Sequence, residues 1–580
     1  MSELCLPSRS TSNWQELLQI PEDITLSRFM LNYFHPLKPQ QGTPCLVEAQ
    51  TGRKSTISQL RSRTMALATA LHSQYDIGKD DVVMICSPNH IDYPVIIWAV
   101  HTLGGIVTLS NPKYTKHELI QQIRLTKASL IILHSSVLDT IPSDVVHLGV
   151  SKGRIISLAD RHRLMPYPSV EDLVGGAEHC KIPMNQSINL GGDRVAMLAL
   201  SSGTTGAPKA VKLSHRGIIV NILQMAAHIA SASNPGFAPG DVALQTLPFF
   251  HVAGFVLGLH LCLFLQAIVI TEQYDFLRML QDIVRFDVTT LVIVPPQAIT
   301  LCKHPATKYF SLDSLKKIFV GAAPVSSELQ QSLAAAVPSA QIGQLYGLTE
   351  ASCTLAMTRG SHSTPGSAGQ LLPGIETRVL KSDGSLVHYG ERGELYIRTL
   401  SAALGYLDNM EASVQHCFHR THLNENTYRT RETFHNDGWV RTGDEVLVTK
   451  EQEIFVFDRV KDVIKVKGFQ VTPAELEGCL LGHPDVLDAA IIGVPHDYSG
   501  QVPFAFVVIR EAAEQEINEA EYEHAIAELK ASILKFVSDR TAPYKRISGV
   551  QFVSSIPKTS SGKVLRRALQ KDWQREKAKL

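Results

Sequence analysis

The chain reads as an α/β protein: a large N-terminal domain of two αβ-layered subdomains plus a small antiparallel β unit, then a smaller α+β domain. Three observations carry this. Val- and Ile-rich runs alternate with helical-period segments over most of the N-terminal part, the rhythm of layered, largely parallel sheets. Past Pro373 the pattern changes to shorter alternating strands with turn residues between them. After a charged segment at 458–467 the remainder has the size and mixed pattern of a separate domain.

In chain order, strands are expected at 82–85, 130–132, 195–200, 268–270 and 291–294, each a short apolar run rich in β-branched residues. Residues 251–271 contain no Asp, Glu, Lys or Arg and are long enough to span a bilayer. They also hold His251, His260, Gln266 and two glycines and end on Ile268-Val269-Ile270, so a buried helix followed by a buried strand is the expectation, not a membrane span. Residues 377–380 and 394–397, with Ser382-Asp383-Gly384 as a turn between them, open the antiparallel unit. Pro473-Ala474-Glu475-Leu476-Glu477 marks a helix start. The domain limits expected are 1–460 and 461–580.

Composition excludes several classes. The 580 residues carry 55 Lys plus Arg against 55 Asp plus Glu and are 44% hydrophobic, which argues against a nucleic-acid binder and against wholesale disorder. Nine cysteines with no C-x-x-C pair read as reduced thiols of an intracellular protein. The N-terminus lacks the apolar core of a secretory signal. Ala578-Lys579-Leu580 is a conservative variant of the S-K-L peroxisomal address, on a charged, helical tail that an import receptor could reach.

The strongest chemical signal is Ser201-Ser202-Gly203-Thr204-Thr205-Gly206-Ala207-Pro208-Lys209, fed by the strand expected at 195–200. Glycines let backbone N–H groups approach an anion, hydroxyls add donors and Lys209 adds charge, which together suit a triphosphate. It is not a Walker A loop, because Lys209 follows Pro208.

This loop resembles the phosphate-binding motif of the adenylate-forming superfamily: acyl-CoA synthetases, 4-coumarate–CoA ligases, beetle luciferases and peptide-synthetase adenylation domains. Further strings resemble that superfamily's motifs and keep their order: Leu247-Pro248-Phe249-Phe250-His251, Gly321-Ala322-Ala323-Pro324, Gln344-Leu345-Tyr346-Gly347-Leu348-Thr349-Glu350, and Gly438-Trp439-Val440-Arg441-Thr442-Gly443-Asp444. Asp458-Arg459-Val460-Lys461-Asp462, Lys465-Val466-Lys467-Gly468-Phe469-Gln470 and Pro557-Lys558-Thr559-Ser560-Ser561-Gly562-Lys563 complete the set.

The resemblance implies an ATP-dependent ligase that joins a carboxylic acid to AMP, releases pyrophosphate, and passes the acyl group to CoA. It implies that Ser201 to Gly206 and Lys209 hold the phosphates, with Gln344, Tyr346 and Gly347 beside the nucleotide. Thr349 would contact the α-phosphate, Glu350 would hold Mg²⁺, and Asp444 and Arg459 would bind the ribose. Lys563 would bridge the acid and the α-phosphate, and rotation about Lys461 would bring Lys465, Lys467, Gly468 and Gln470 to the site for the thiol step. His251 would lie between acyl group and nucleotide. The implied acyl pocket comprises His251, Ala253, Leu257, Ala322, Leu345 and Met357.

Departures from the 4-coumarate–CoA ligase pattern cluster in that pocket. Ala253 stands for a Tyr, Leu257 for a smaller polar residue and Leu345 for a Gly. Loss of a phenol-sized wall and gain of bulk elsewhere point to an aliphatic or branched acid, not coumarate. Tyr274 stands for a Lys that touches CoA, and Ala210 for a Gly. Residues 416–435 read as an inserted surface loop; His416, Cys417, His419 and His422 suggest zinc less well than plain exposure. A carrier-protein loader, a luciferase-like oxygenase and a non-catalytic nucleotide binder remain as alternatives.

Overall fold

A computed structural model describes the chain apart from residues 1–4, 7–19, 22, 36–37, 39–41, 141–149, 151, 159–166, 178–190, 203–207, 231–239, 360–363, 408–432, 460–461, 467–468, 497–498, 511–521, 560–561 and 578–580. Four sheets organise it. The first has six strands in the spatial order Ile155–Leu158, Leu130–His134, Val82–Cys86, Ile106–Ser110, Val195–Ser202 and Pro208–Ser214. All its neighbours are parallel except the last two strands, which form an antiparallel hairpin. That hairpin encloses the Ser/Thr/Gly segment, whose residues 203–207 lie outside the described residues.

The second sheet has nine strands, and its centre is parallel: Gln341–Leu348, Lys317–Val320, Thr290–Ile293, Val242–Gln245, Ala267–Ile270 and Pro44–Glu48 lie side by side. Thr290–Ile293 and Ala267–Ile270 are buried almost throughout, which is why they read as Val/Ile/Leu runs. The segments after Val242–Gln245, Lys317–Val320 and Gln341–Leu348 carry His251, Ala322 and Thr349. In parallel sheets the crevice beyond these carboxyl ends is where ligands bind.

The antiparallel unit expected after Pro373 is a five-stranded sheet of Cys5–Leu6, Glu376–Leu380, Arg392–Arg398, Val440–Val448 and Ile454–Arg459. The C-terminal sheet pairs Phe469–Val471, Ile464–Val466, Gly500–Ile509 and Val486–His496 antiparallel, with Val550–Phe552 parallel at its side. Helices Pro473–Leu481 and Tyr522–Ser538 cover one face, where Leu476, Leu480, Ile533 and Val537 are buried against Ile491 and Val507. Helix Arg566–Lys577 covers the other with Leu569 and Trp573.

The apolar stretch at 251–271 is a helix then a strand, as its sequence suggests. Its first part, Ala253–Leu261, is a π-helix, continuing as Cys262–Leu265 before the strand Ala267–Ile270. No described helix is long and apolar enough to cross a membrane. The six cysteines whose side chains are described are free.

Candidate active site

A cavity of about 180 Å³ opens at the carboxyl ends of the nine-stranded sheet. Ala322, Leu345, Tyr346 and Gly347 form one wall, Asp444 and Arg459 of the antiparallel unit another. Gly562 and Lys563 close it from the C-terminal domain.

Asp444 and Arg459 stand opposite each other in register on adjacent strands. Arg459 Nε lies 2.8 Å from Asp444 Oδ1, and its Nη1 donates to the Thr442 carbonyl at 2.8 Å. The other Asp444 oxygen accepts from the Tyr346 hydroxyl at 2.7 Å. Burial, reinforced by the Asp444 charge, drives the Tyr346 phenol well above its ordinary pKa, so Tyr346 stays a donor. The result is a fixed, hydrogen-bonded charge pair at the cavity edge, suited to hydroxyl groups of a sugar.

Lys563 sits on a tight turn. Gly562 N–H donates to Thr559 O at 2.9 Å, Thr559 N–H to Lys563 O at 2.8 Å, and Lys563 N–H to Thr559 Oγ1 at 3.1 Å. Gly562 has φ +83°, and a Cβ there would lie 3.2 Å from Val294, so glycine serves both the turn and its close seating on the N-terminal domain. Burial, then the nearby Arg459, lowers the Lys563 pKa, while Asp444 and Asp462 oppose this. An anion entering the cavity would relieve that strain on the ammonium.

Glu350 occupies the short 3₁₀ turn Thr349–Ala351. Its Oε1 accepts from the Tyr406 hydroxyl at 3.0 Å, and its backbone carbonyl accepts from Ala403 N–H at 2.9 Å. The Tyr406 ring carries the Lys209 ammonium 4.7 Å from its centroid, a cation–π contact. Thus one phenol ties the carboxylate expected to hold metal to the lysine expected to hold phosphate. Sequence reasoning passed over Tyr406, which stands among the small and apolar residues of 401–407. It also passed over Glu477 and Arg566, whose Nη2 donates to both Glu477 carboxylate oxygens at 2.8 and 3.0 Å.

A single carboxylate with a hydrogen-bonded partner is the donor set of a hard cation that arrives with phosphate oxygens, so Glu350 fits Mg²⁺. Among the described residues no cluster of three or more His, Cys, Asp or Glu could hold a metal by itself.

On the acyl side, Trp98 Nε1, which can only donate, lies 3.2 Å from His260 Nε2. The His260 proton therefore sits on Nδ1 and is donated to Phe255 O at 2.7 Å. This buried relay links the π-helix to helix Tyr93–Thr102. Gly254 and Gly258 let it press close: a Cβ at 254 would fall 1.9 Å from Pro248 O, and one at 258 2.3 Å from Gln245 Nε2. Leu257 is buried on this helix and Ala253 half-buried. His251 keeps partial exposure; its Nδ1 accepts from Ala253 N–H at 3.3 Å, and burial pushes the imidazole down to about 4.

Leu345 pairs with Met357 across strands Gln341–Leu348 and Cys353–Met357. Met357 is buried, while Leu345 lies against Gly321, where a Cβ would be 3.1 Å from its own. Gly347 admits no side chain: its Cβ would fall 1.7 Å from Cys353 O. Ala322 has φ +75°, a left-handed conformation costing about 1 kcal/mol, at the cavity wall.

The remaining expected residues are less concentrated. Gln344 lines the cavity, but its Nε2 donates to Val325 O and Gln330 Oε1, each at 3.3 Å. Lys465 is exposed and lies outside the cavity lining, paired in register with Gln470. Ser201 and Ser202 end their strand at the hairpin. Gly203, Thr204, Thr205, Gly206, Lys461, Lys467 and Gly468 lie outside the described residues, as do the loop residues 408–432 and Ala578 to Leu580.

With this geometry in place, comparison with known proteins is decisive. A family model described as AMP-binding enzyme matches residues 35–407, and one described as AMP-binding enzyme C-terminal domain matches 475–563. The chain belongs to the AMP-binding enzyme family. Curated relatives of this AMP-binding enzyme include 4-coumarate–CoA ligase 1 of Arabidopsis thaliana, 32% identical over 95% of this chain and 93% of the relative. 4-Coumarate–CoA ligase 2 of Oryza sativa subsp. japonica is 34% identical over 91% and 89%. Among solved structures, the anthranilate CoA ligase AuaEII in complex with anthranoyl-AMP superposes with a TM-score of 0.80 over 96% of this chain and 98% of its own, at 22% identity. A benzoate CoA ligase of Burkholderia xenovorans LB400 gives 0.76 over 94% and 99%, also at 22% identity. These two likenesses show that the AMP-binding enzyme shares their fold.

Proposed function

We propose that this protein is an AMP-forming acid–CoA ligase that activates an aliphatic or branched carboxylic acid. The observation that carries the reading is the placement of Lys563 in a cavity shared with Asp444, Arg459 and Tyr346. A carboxylate cannot acylate a thiol directly, because its leaving group would be oxide. Attack of the carboxylate oxygen on the α-phosphorus of ATP breaks the α–β phosphoanhydride bond, releases pyrophosphate and leaves an acyl-adenylate. A thiolate of CoA then attacks the acyl carbon and AMP departs.

In the first step the protein positions reactants and balances charge. Asp444, with Arg459 held against it, binds the ribose hydroxyls. Lys563 donates to the acid and to an α-phosphate oxygen, offsetting charge that accumulates between them. Ser201 to Gly206 and Lys209 bind the β- and γ-phosphates, and Thr349 the α-phosphate. Mg²⁺ on Glu350 would neutralise phosphate charge. For the second step the domain comprising 461–580 turns about Lys461 away from 1–460, withdrawing Lys563 and bringing Lys467 and Gly468 to the site. His251, neutral at physiological pH, separates the acyl and nucleotide compartments.

Ala253, in place of a tyrosine, and Leu345, in place of a glycine, support a reshaped apolar pocket and hence the aliphatic or branched acid. The sequence Ala578-Lys579-Leu580 supports delivery by a peroxisomal import receptor; a fluorescent fusion should relocate to the cytosol when these three residues are removed. The catalytic reading is tested by pyrophosphate release over a panel of acids with ATP, Mg²⁺ and CoA. Acid-dependent pyrophosphate with matching CoA consumption is expected. Pyrophosphate without CoA consumption would indicate another acceptor, and no pyrophosphate with any acid would overturn the assignment.

A further inference from the structure

Lys563 and Arg459, both cations, line the same cavity, so seating Lys563 there is unfavourable for the protein alone. Contacts elsewhere must hold the C-terminal domain in this orientation. Helix Pro473–Leu481 meets the N-terminal domain at its start, its middle and its end.

At its amino end Asp458, buried at the end of strand Ile454–Arg459, accepts from Ala474 N–H through Oδ2 at 3.4 Å. The same Oδ2 lies 3.6 Å from Arg566 of the C-terminal domain. At the carboxyl end the Lys303 ammonium, from helix Pro295–Lys303, donates to Leu481 O at 3.0 Å and Val486 O at 2.9 Å. Between them Gly478 touches Ser326 so closely that a Cβ would lie 2.8 Å from the Ser326 Cβ. A helix carries partial positive charge at its amino end and partial negative charge at its carboxyl end. The N-terminal domain thus presents an anion to the first and a cation to the second.

We infer that Asp458 and Lys303 form a two-ended clamp on helix Pro473–Leu481 that holds the C-terminal domain in the Lys563-in orientation. They are positioning residues: neither needs to touch substrate, and both act by making this orientation populated before substrate binds. Lys303 donates to two backbone carbonyls of the other domain, so these contacts exist in this orientation and are lost when the helix leaves. The clamp sets how the enzyme divides its time between the two half-reactions, and in that respect it rests on the function proposed above.

The test uses the full chain with Lys303→Met, which keeps the aliphatic stem and removes the charge, and Lys303→Arg, which restores a donor. Gly478→Leu wedges the same interface from its middle and provides an independent variant. Hydrogen exchange of the 473–481 amides in the absence of substrate reads the docking directly. Acid-dependent pyrophosphate exchange and thioester formation from supplied acyl-adenylate read the two steps. In Lys303→Met and Gly478→Leu, amide exchange should rise and pyrophosphate exchange fall about tenfold, with thioester formation equal to or faster than in the unmodified protein. Lys303→Arg should recover most of the loss. Unchanged amide exchange in both weakened variants would overturn the clamp, as would equal losses in both half-reactions. If the unmodified chain shows no pyrophosphate exchange with any acid, the catalytic assignment fails, and the exchange of the helix amides still decides the clamp.

Discussion

The hydroxyl of Tyr406 donates to Glu350 Oε1 at 3.0 Å while its ring face carries the Lys209 ammonium 4.7 Å from the centroid. One residue therefore positions both the carboxylate proposed for Mg²⁺ and the cation proposed for phosphate. Tyr406→Phe keeps the ring and the cation–π contact and deletes the hydrogen bond. A hydrogen bond to a charged group contributes about 1.5 kcal/mol or more, so the Mg²⁺ concentration needed for half-maximal pyrophosphate release should rise about tenfold. Thioester formation from supplied acyl-adenylate should be unaffected. An unchanged Mg²⁺ dependence would show that Glu350 needs no such support.

Three buried histidines hydrogen-bond to neutral groups: His101 Nε2–H donates to Ala196 O, His228 Nε2–H donates to Met357 O, and His260 closes the Trp98–Phe255 relay. Burial pushes them down to about 4, about 4 and about 3 respectively. The unfolded chain binds protons on these rings below about pH 6.5, whereas the folded chain does not until about pH 4. Stability is therefore full above about 6.5 and falls as pH drops towards 4, by up to about 1.4 kcal/mol per pH unit for each ring. Asp458 and Glu477, whose pKa values burial raises, act in the opposite direction. His228→Gln isolates the histidine effect. Its thermal midpoint should lose less than that of the unmodified protein between pH 6.5 and 4.5, and an identical slope would refute the assignment.

The acyl pocket proposed above supports a prediction about size. Ala253 is half-buried at the start of the π-helix, and its N–H donates to His251. Ala253→Tyr would return a phenol-sized wall to this position. One such change alters discrimination by about 1–3 kcal/mol. The variant should lose roughly 10- to 100-fold in kcat/KM for the preferred aliphatic or branched acid, with KM for ATP unchanged. A matching rise in KM for ATP would mean that residue 253 faces the nucleotide instead.

What could be read from the sequence follows from how local each signal is. Strands Val82–Cys86, Leu130–His134 and Thr290–Ile293 were legible because they are buried almost throughout and so are mostly apolar. Asp444 and Arg459 were legible as residues of recognisable strings, and cross-strand pairing brings them opposite each other. The π-helical form of Ala253–Leu261 was not legible, since it depends on a proton from His260 and a partner, Trp98, 162 positions away. Tyr406 and Lys303 were missed for the same reason. A lone tyrosine or lysine acquires its role only when folding places Glu350 or the end of another domain's helix beside it.

Lys563 separates the two chemical steps. Its ammonium reaches the cavity only because the turn at Gly562 seats against Val294, and it lies beside Asp444 and Arg459 there. If it balances charge during adenylation and then withdraws, Lys563→Ala should reduce acid-dependent pyrophosphate release by two or more orders of magnitude, the scale of a lost charge-stabilising donor of about 3 kcal/mol. The same variant should convert supplied acyl-adenylate and CoA to thioester at a near-normal rate, because no group at 563 takes part in that step. Nucleotide binding should persist, since Asp444, Arg459 and Tyr346 are untouched. Equal losses in both single-turnover assays would mean that Lys563 serves one fixed site, and that domain rotation does not divide the reaction.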